Sequence, residues 1–306
     1  MANRHYHILA LGDSVIWGQG LQPQEKLVTR VQDWIKQFHP DFDVELTLLA
    51  HSGAIIGVNS TFNGPVLDGE VPTKFPTILN QIATFAGAPG EVDLVLMNGG
   101  INDVSAVHLV NPLTDDDELR DSIHRHCHIN LLALLAAAGE KFTNDATRFV
   151  VTGYYPILSH ESNPLRMVPF LALFGVNVQP PFLIANPFFK IDEQTLLFWR
   201  QSTVEMRAAV AETNTRFGGT PRFFFVEPQF TPQNAAFASS PFVFGVKLDS
   251  SPQDSQAAHR QAVCPVQEPN PIQREFCFRA SAGHPNVRGA ERYFNDTFPV
   301  LQTFGL

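Results

Sequence analysis

The stretch YHILALGDS, residues 6–14, is an apolar run of strand length that ends in a Gly-Asp-Ser turn. Residues 26–38 have helical spacing, because Leu27, Val31 and Trp34 recur at intervals of three or four positions. An apolar strand that leads through a short loop into an amphipathic helix is typical of a sheet whose faces are covered by helices. This opening therefore predicts an α/β fold.

The rest of the chain repeats this alternation. Further strands are predicted at residues 43–50, 92–100, 148–155 and 222–228. Further helices are predicted at residues 78–85, from a cap at Thr114 to about residue 138, at 195–217, and from Pro285 onward. Connections of this kind are right-handed crossovers between parallel strands. We therefore expect a mostly parallel five-stranded sheet, with a site beyond the carboxyl ends of its strands.

One segment interrupts the alternation. Residues 165–189 are apolar, broken by prolines and rich in phenylalanine. They lie in an insertion at about residues 156–192, within what we interpret as a single domain over residues 1–306. The insertion either fills core space or forms a lid or pocket wall for an apolar ligand.

Composition narrows the classes of partner and compartment. The net charge of −9 disfavours nucleic acid or an anionic membrane surface as a partner, and no stretch of ~18 apolar residues could span a membrane without interruption. We expect a soluble protein, cytoplasmic as it stands and secreted if a leader has been removed. Cys264 and Cys277 flank a proline-rich loop, so the three cysteines fit either one disulfide with Cys127 free or three reduced thiols. The sequence does not indicate the oligomeric state.

Four short motifs fall where the predicted sheet should carry its site. Ser14 follows the first strand, Gly53 the second and Asn102 the third, while His284 precedes the last helix, whose first position suits Pro285. Each motif alone is also typical of a tight turn. Together they would bring a hydroxyl nucleophile, hydrogen-bond donors for an oxyanion and an imidazole base to one edge of the sheet.

These motifs, in this order across residues 12–289, resemble those of the GDSL, or SGNH, hydrolase family. The resemblance implies a flavodoxin-like three-layer α/β/α sandwich and serine-dependent hydrolysis of carboxylic esters without a cofactor. It also implies that Ser14 is the nucleophile and His284 the general base. Gly53 and Asn102 would then join the Ser14 amide as oxyanion donors.

The sequence departs from the family at one position. The family usually places an aspartate three residues before the histidine, and here that residue is Ser281. A hydroxyl could orient the imidazole but would not stabilise an imidazolium as a carboxylate does. Three arrangements remain: a backbone carbonyl near Ser281 accepts the second ring proton, a carboxylate from elsewhere, such as Glu227 after the fifth strand, reaches in, or the site is impaired. Asp13 and Asp103 adjoin the site and are expected to bond backbone amides.

A rival interpretation comes from SIHRHCHIN, residues 122–130. On a helix, His124 and His128 would share one face at a spacing that paired zinc ligands use, with Cys127 one position off that face. The glutamate of a His-Glu-x-x-His motif is missing and no third ligand follows nearby. We therefore expect ordinary packed or solvent-facing histidines and no metal. A metal at this place would favour a metal-dependent hydrolase, or an SGNH-like fold kept as a binding protein.

The phenylalanine-rich insertion favours an ester with an apolar part, either a small molecule or a lipid-like substrate of an esterase or lipase. The alternatives are a carbohydrate O-acetyl esterase and a catalytically impaired SGNH-fold protein that binds a ligand without cleaving it.

Overall fold

The computed structural model describes residues 4–60, 68–72, 76–176, 186–249 and 251–306. Its central element is one five-stranded sheet with the strand order β2-β1-β3-β4-β5. The strands are β1 (Arg4–Leu11), β2 (Phe42–Leu48), β3 (Val92–Met97), β4 (Arg148–Thr152) and β5 (Phe223–Val226). All four neighbouring pairs are parallel. The predicted α/β class and five-stranded sheet are confirmed.

Helices cover both faces of this sheet. Consecutive residues are buried along most of β1 and β3, so neither face of these strands meets solvent. The helices described are α1 (Ser14–Trp17), α2 (Leu27–Phe38), α3 (Ile78–Thr84), α4 (Ile101–Val104), α5 (Ala106–Val110), α6 (Asp116–His124), α7 (Leu131–Lys141), α8 (Pro164–Leu173), α9 (Pro187–Phe217), α10 (Ala257–Gln267), α11 (Pro271–Phe278) and α12 (Val287–Gln302). Helix α2 packs on α12, while α7 packs on both α3 and α9. The strand order is that of flavodoxin-like sheets. Their ligands bind beyond the carboxyl ends of β1 and β3, where the strand order reverses.

Several element boundaries differ from those predicted. Asp115, not Thr114, caps α6, because its carboxylate accepts hydrogen bonds from two amides of the first turn. A π-helical segment, Arg125–Asn130, joins α6 to α7. Helix α9 begins at Pro187, earlier than the apolar periodicity indicates, because Asn186 caps it and Pro187 suits a first turn. Asn286 caps α12, so Pro285 lies outside the helix, where it pairs with Val243 instead.

The predicted insertion is partly helical. Helix α8 lies within it and carries Pro169 in its interior. Met167, Phe170 and Leu171 of α8 are buried, so this helix contributes to the core. Residues 177–185 of the insertion lie outside the described residues.

The prediction that a proline-rich loop joins Cys264 to Cys277 is wrong. Cys264 lies in α10 and Cys277 in α11, and a disulfide joins the two helices over a Cα–Cα distance of 6.0 Å. The third cysteine, Cys127, is free and buried. Among the described residues, no helix combines the length and apolar composition that crossing a bilayer requires.

Candidate active site

The turn after β1 is held by a buried polar network around Asp13. The Asp13 carboxylate accepts the Val15 amide at 2.8 Å and so caps α1, whose first residue is Ser14. It also accepts hydrogen bonds from the Asn98 side chain and the Tyr154 hydroxyl, both at 2.8 Å. Burial raises the pKa of Asp13, although these hydrogen bonds oppose the rise. The network leaves little freedom to the turn that presents Ser14.

Two further side chains complete this support. The Gln81 side chain bonds both the amide and the carbonyl of Gly12, at 2.8 and 2.9 Å. The Tyr154 hydroxyl also accepts the Ile101 amide at 3.2 Å, and so links the turns after β1 and β3. Sequence reasoning missed Asn98, Gln81 and Tyr154. Asn98 stands directly before the Gly-Gly of the third motif, which is a usable signal, but nothing in the sequence marks Gln81 or Tyr154.

Gly53 and Asn102 lie at the same edge of the sheet, and the Asn102 side chain bonds the residue that follows Gly53. Gly53 has a φ of 78°, a left-handed conformation that glycine adopts without strain. The Asn102 side-chain amide donates to the Ala54 carbonyl at 3.0 Å, and Asp103 accepts the Ile56 amide at 2.9 Å. Asp103 and Asp13 thus both bond backbone amides, as predicted. Burial raises the pKa of Asp103 to about 6.

His284 lies beside Ser14. Its Nε2 is 2.7 Å from the Ser14 Oγ, across 270 residues of sequence. The loop that carries His284 is fixed by two backbone hydrogen bonds, since the Gly283 amide donates to the Phe244 carbonyl and the Phe244 amide donates to the His284 carbonyl. The Tyr155 hydroxyl also donates to the Gly283 carbonyl at 2.8 Å. Gly283 has a φ of 84°, which only glycine adopts easily.

The second ring nitrogen of His284 is not hydrogen-bonded within the described part of the chain. Neither His284 Nδ1 nor the Ser281 Oγ, both buried, makes a hydrogen bond to any described residue. Burial lowers the pKa of His284 to about 4, with a further contribution from the charge of Arg260, while the carbonyls of Ser281 and nearby residues oppose the drop. The ring keeps part of its surface open to the cavity described below. The imidazole is therefore strongly biased towards its neutral form.

Glu227 does not approach His284. Its carboxylate forms an ion pair with Arg207 at the surface, and no contact joins it to His284 among the described residues. The prediction that Glu227 reaches the histidine from the fifth strand is wrong, because β5 lies at the edge of the sheet while Ser14 follows β1 near its centre.

Ser14, Gly53, Asn102 and His284 line one cavity of about 240 Å³. The backbone amides of Ser14 and Gly53 donate to no described residue, so both are free to meet an anion. The remaining wall is mostly apolar and includes Phe170 and Phe174 from the insertion together with Phe276, Ile157 and Val110. The cavity thus joins a hydroxyl–imidazole pair to an apolar space.

Solved structures of two lipases and a phospholipase A1 share this architecture. The chain is similar to an extracellular lipase from Streptomyces rimosus, with a TM-score of 0.51 and 14% identity over 97% of this chain and 99% of that one. It is similar to the lipase Lip_vut3 from a goat rumen metagenome, with a TM-score of 0.50, 14% identity and coverage of 98% and 97%. It is also similar to phospholipase A1 from Streptomyces albidoflavus NA297, with a TM-score of 0.50, 12% identity and coverage of 97% and 98%.

The chain has the fold of these lipases. The fold expected from the resemblance to the GDSL hydrolases is therefore confirmed. No family model matches the sequence, and no curated protein matches it either.

Proposed function

We propose that this protein is a serine esterase or lipase that hydrolyses carboxylic esters with an apolar acyl part. The contact of 2.7 Å between Ser14 Oγ and His284 Nε2, inside a largely apolar cavity, carries this proposal. A hydroxyl becomes a useful nucleophile when an adjacent neutral base can take its proton. The fold shared with two lipases and a phospholipase A1 supports the same reaction class.

The reaction would proceed in two halves. Ser14 Oγ attacks the ester carbonyl carbon while its proton passes to His284 Nε2. The resulting oxyanion accepts hydrogen bonds from the Ser14 and Gly53 amides and the Asn102 side chain. The C–O bond to the alcohol then breaks, and the alcohol leaves with the proton held by His284. A water molecule attacks the acyl-enzyme with His284 again as the base, which releases the carboxylic acid and restores Ser14.

We propose that Ser14 and His284 work as a dyad. An aspartate would normally accept the Nδ1 proton and stabilise the imidazolium, but neither the Ser281 hydroxyl nor the Glu227 carboxylate bonds the His284 ring. The carbonyls of Ser281, Ala282 and Ala280 favour protonation of the ring through their dipoles. A small rotation of the imidazolium towards one of them would satisfy Nδ1, so the backbone takes the place of the missing carboxylate.

The apolar wall of the cavity supports the proposal that the protein recognises the acyl chain of its substrate. Phe170 and Phe174 from the insertion face the same space as Phe276, and burial of methylene groups against such rings contributes about 0.8 kcal/mol for each CH₂. The pocket-wall interpretation of the insertion is the one this arrangement favours. A sugar O-acetyl ester would leave most of this surface unused.

The test is hydrolysis of p-nitrophenyl acetate and p-nitrophenyl octanoate by the wild type and by Ser14→Ala and His284→Ala. We expect both variants to lose turnover by several orders of magnitude, and kcat/KM of the wild type to be higher on octanoate. Full activity of Ser14→Ala would exclude the nucleophile. A preference for acetate would favour the O-acetyl esterase, and an inert but ligand-binding wild type the impaired protein.

The compartment is a separate proposal. A disulfide between α10 and α11 persists in oxidising surroundings. This favours an exported protein over the cytoplasmic one expected from the sequence. Blocking free thiols in protein freshly isolated from its native source would test it, since an oxidised pair leaves Cys127 alone to react after unfolding.

A further inference from the structure

Two histidines and one glutamate meet on the outer side of the helical layer, away from the Ser14 cavity. His124 Nδ1 and His128 Nδ1 each lie 3.0 Å from the same oxygen, Glu205 Oε2. The two imidazole rings have centroids 5.2 Å apart. His124 ends α6, His128 lies in the π-helical segment and Glu205 belongs to α9. The third ligand that the sequence lacked nearby therefore comes from another helix, 77 residues beyond His128.

We propose that His124, His128 and Glu205 form a binding site for a divalent transition metal, with Zn²⁺ the best fit. Two imidazole nitrogens and one carboxylate oxygen suit zinc, which binds them at roughly 2.0–2.2 Å with a water in the fourth position. Tetrahedral bonds of that length separate neighbouring ligand atoms by about 3.3 Å. The nitrogen–oxygen distances here differ from that value by only a few tenths of an ångström, so the metal would replace the shared protons with little movement.

A fourth residue supports this assignment. Glu212 Oε2 lies 3.2 Å from Nε2 of His128, the ring nitrogen opposite the one that faces Glu205. Histidines that bind metals usually donate their second ring N–H to a carboxylate, which fixes the tautomer and orients the ring. The His128 ring is thus already held in the orientation that binding through Nδ1 requires.

Cys127 is not a ligand of this site. It is buried, and its Sγ packs against Gly100.

The position of the site indicates a structural metal. None of the three ligands lines the Ser14 cavity, so the metal would not act in ester hydrolysis, contrary to the metal-dependent hydrolase considered above. It would join the junction of α6 and the π-helical segment to α9, which pack against each other. A metal that binds only the folded state raises its stability by mass action.

A second group of metal-binding residues offers an internal control. His5, His7 and Glu45 also lie close together, but His7 Nε2 is engaged by the Thr47 hydroxyl at 2.9 Å and His5 is 3.5 Å from Glu45. These contacts do not converge on one oxygen. Zinc binding should therefore survive His5→Ala and be lost with His124→Ala.

The test is titration of the chelator-treated full chain with Zn²⁺ by calorimetry, with thermal unfolding recorded at each metal ratio. We expect one site, a rise in Tm with zinc, and affinity weakened by at least about tenfold in His124→Ala and in Glu205→Gln. Glu205→Gln keeps the shape and hydrogen-bonding capacity of the side chain, so a loss of zinc binding in this variant would not reflect misfolding. Equal binding by His124→Ala and the wild type, loss in His5→Ala, or no binding by the folded wild type would each overturn the site.

Substitution of Co²⁺ tests the geometry. A tetrahedral site of two imidazoles and a carboxylate gives an intense visible d–d absorption, which should vanish in His128→Ala and persist in His5→Ala. The weak absorption of an octahedral, largely hydrated ion in the wild type would contradict the proposed ligand set.

Discussion

His284 is the residue on which the proposed chemistry depends most, and its surroundings are unusual. A carboxylate partner would raise the pKa of a catalytic imidazole. Here burial lowers the pKa to about 4 and no carboxylate opposes it. In the proposed mechanism the neutral imidazole is the base, so activity should extend to more acidic pH than in an enzyme with an aspartate.

This argument predicts the acidic limb of the pH profile. Because His284 stays neutral above a pH of about 4, kcat/KM should fall only as the pH drops towards that value, not near the ordinary 6.5 of histidine. In Ser281→Asp, the new carboxylate should raise the pKa of His284 and move the limb to higher pH by about one unit or more. The measurement is kcat/KM for p-nitrophenyl octanoate between pH 3.5 and pH 8, in steps of about half a unit.

The control for this profile is Asp103→Asn. The pKa of Asp103 is raised to about 6, so its titration could be mistaken for that of an ordinary histidine. A wild-type limb near pH 6.5 that persists in Asp103→Asn would show that His284 titrates as an ordinary histidine, against the prediction.

Asn102 allows a second prediction at the same scale. If its side-chain amide stabilises the oxyanion, Asn102→Ala should lower kcat by ~10²–10³ with little change in KM. The lost hydrogen bond to Ala54 should cost only about 1 kcal/mol of stability. Stopped assays with p-nitrophenyl octanoate and a thermal melt separate the two effects. A large drop in Tm together with a raised KM would instead assign Asn102 the role of holding the Gly53 loop.

At the scale of elements, α10 and α11 matter because they lead into the histidine loop, residues 279–286, which carries His284. Phe276 of α11 also lines the cavity. The disulfide between Cys264 and Cys277 closes the hairpin of the two helices. The pair Cys264 and Cys277 packs with Val71, Val263 and Phe278 in a small cluster apart from the main core.

We predict that Cys264→Ala/Cys277→Ala lowers the free energy of unfolding by roughly 3 kcal/mol, the amount expected for a closed loop of this length. Chemical denaturation measures it. A reducing agent should destabilise the wild type to a similar extent and leave the double variant unaffected. Equal stability of the oxidised wild type and the double variant would show that the disulfide constrains nothing that packing does not already hold.

At the scale of the whole molecule, a buried cluster of charges joins segments that are far apart in sequence. The fully buried Arg260 of α10 pairs with Glu70 at 3.1 Å and also with Asp254. Glu70 further accepts hydrogen bonds from the side chains of Trp17 and Gln19 at 3.0 and 2.7 Å. The cluster therefore ties α10 to the loop after α1, close behind the histidine loop.

Removal of Arg260 should be costly because it takes the paired guanidinium away from the buried carboxylate of Asp254 and leaves Glu70 with only the charge of nearby Lys26. We expect Arg260→Met to lower the free energy of unfolding by about 3–5 kcal/mol. The matched control is Arg207→Met, whose partner Glu227 is at the surface, and a cost of at most about 1 kcal/mol is expected there. Equal costs for both variants in urea denaturation would mean that Glu70 and Asp254 are neutral or solvated in the folded protein.

Most of the sheet could be predicted from the sequence because its signal is local. All five strands lie where apolar runs predict them, and the amphipathic stretch at residues 26–38 forms α2 at Leu27–Phe38. The helices around the disulfide were missed, because Pro265 and Pro271 within short polar stretches resemble loop sequence. Local propensity is weak, and packing decides such cases.

The sequence by itself determined the α/β class, the parallel sheet and the four residues that meet in the cavity, because strand ends and ordered motifs are readable along the chain. Only the tertiary structure decided what surrounds them. It left His284 Nδ1 without a hydrogen bond among the described residues, paired Glu227 with Arg207, and brought Glu205 to His124 and His128. The physical reason is that burial, hydrogen bonding and charge pairing arise between residues distant in sequence, whose meeting follows from the packing of helices on the sheet.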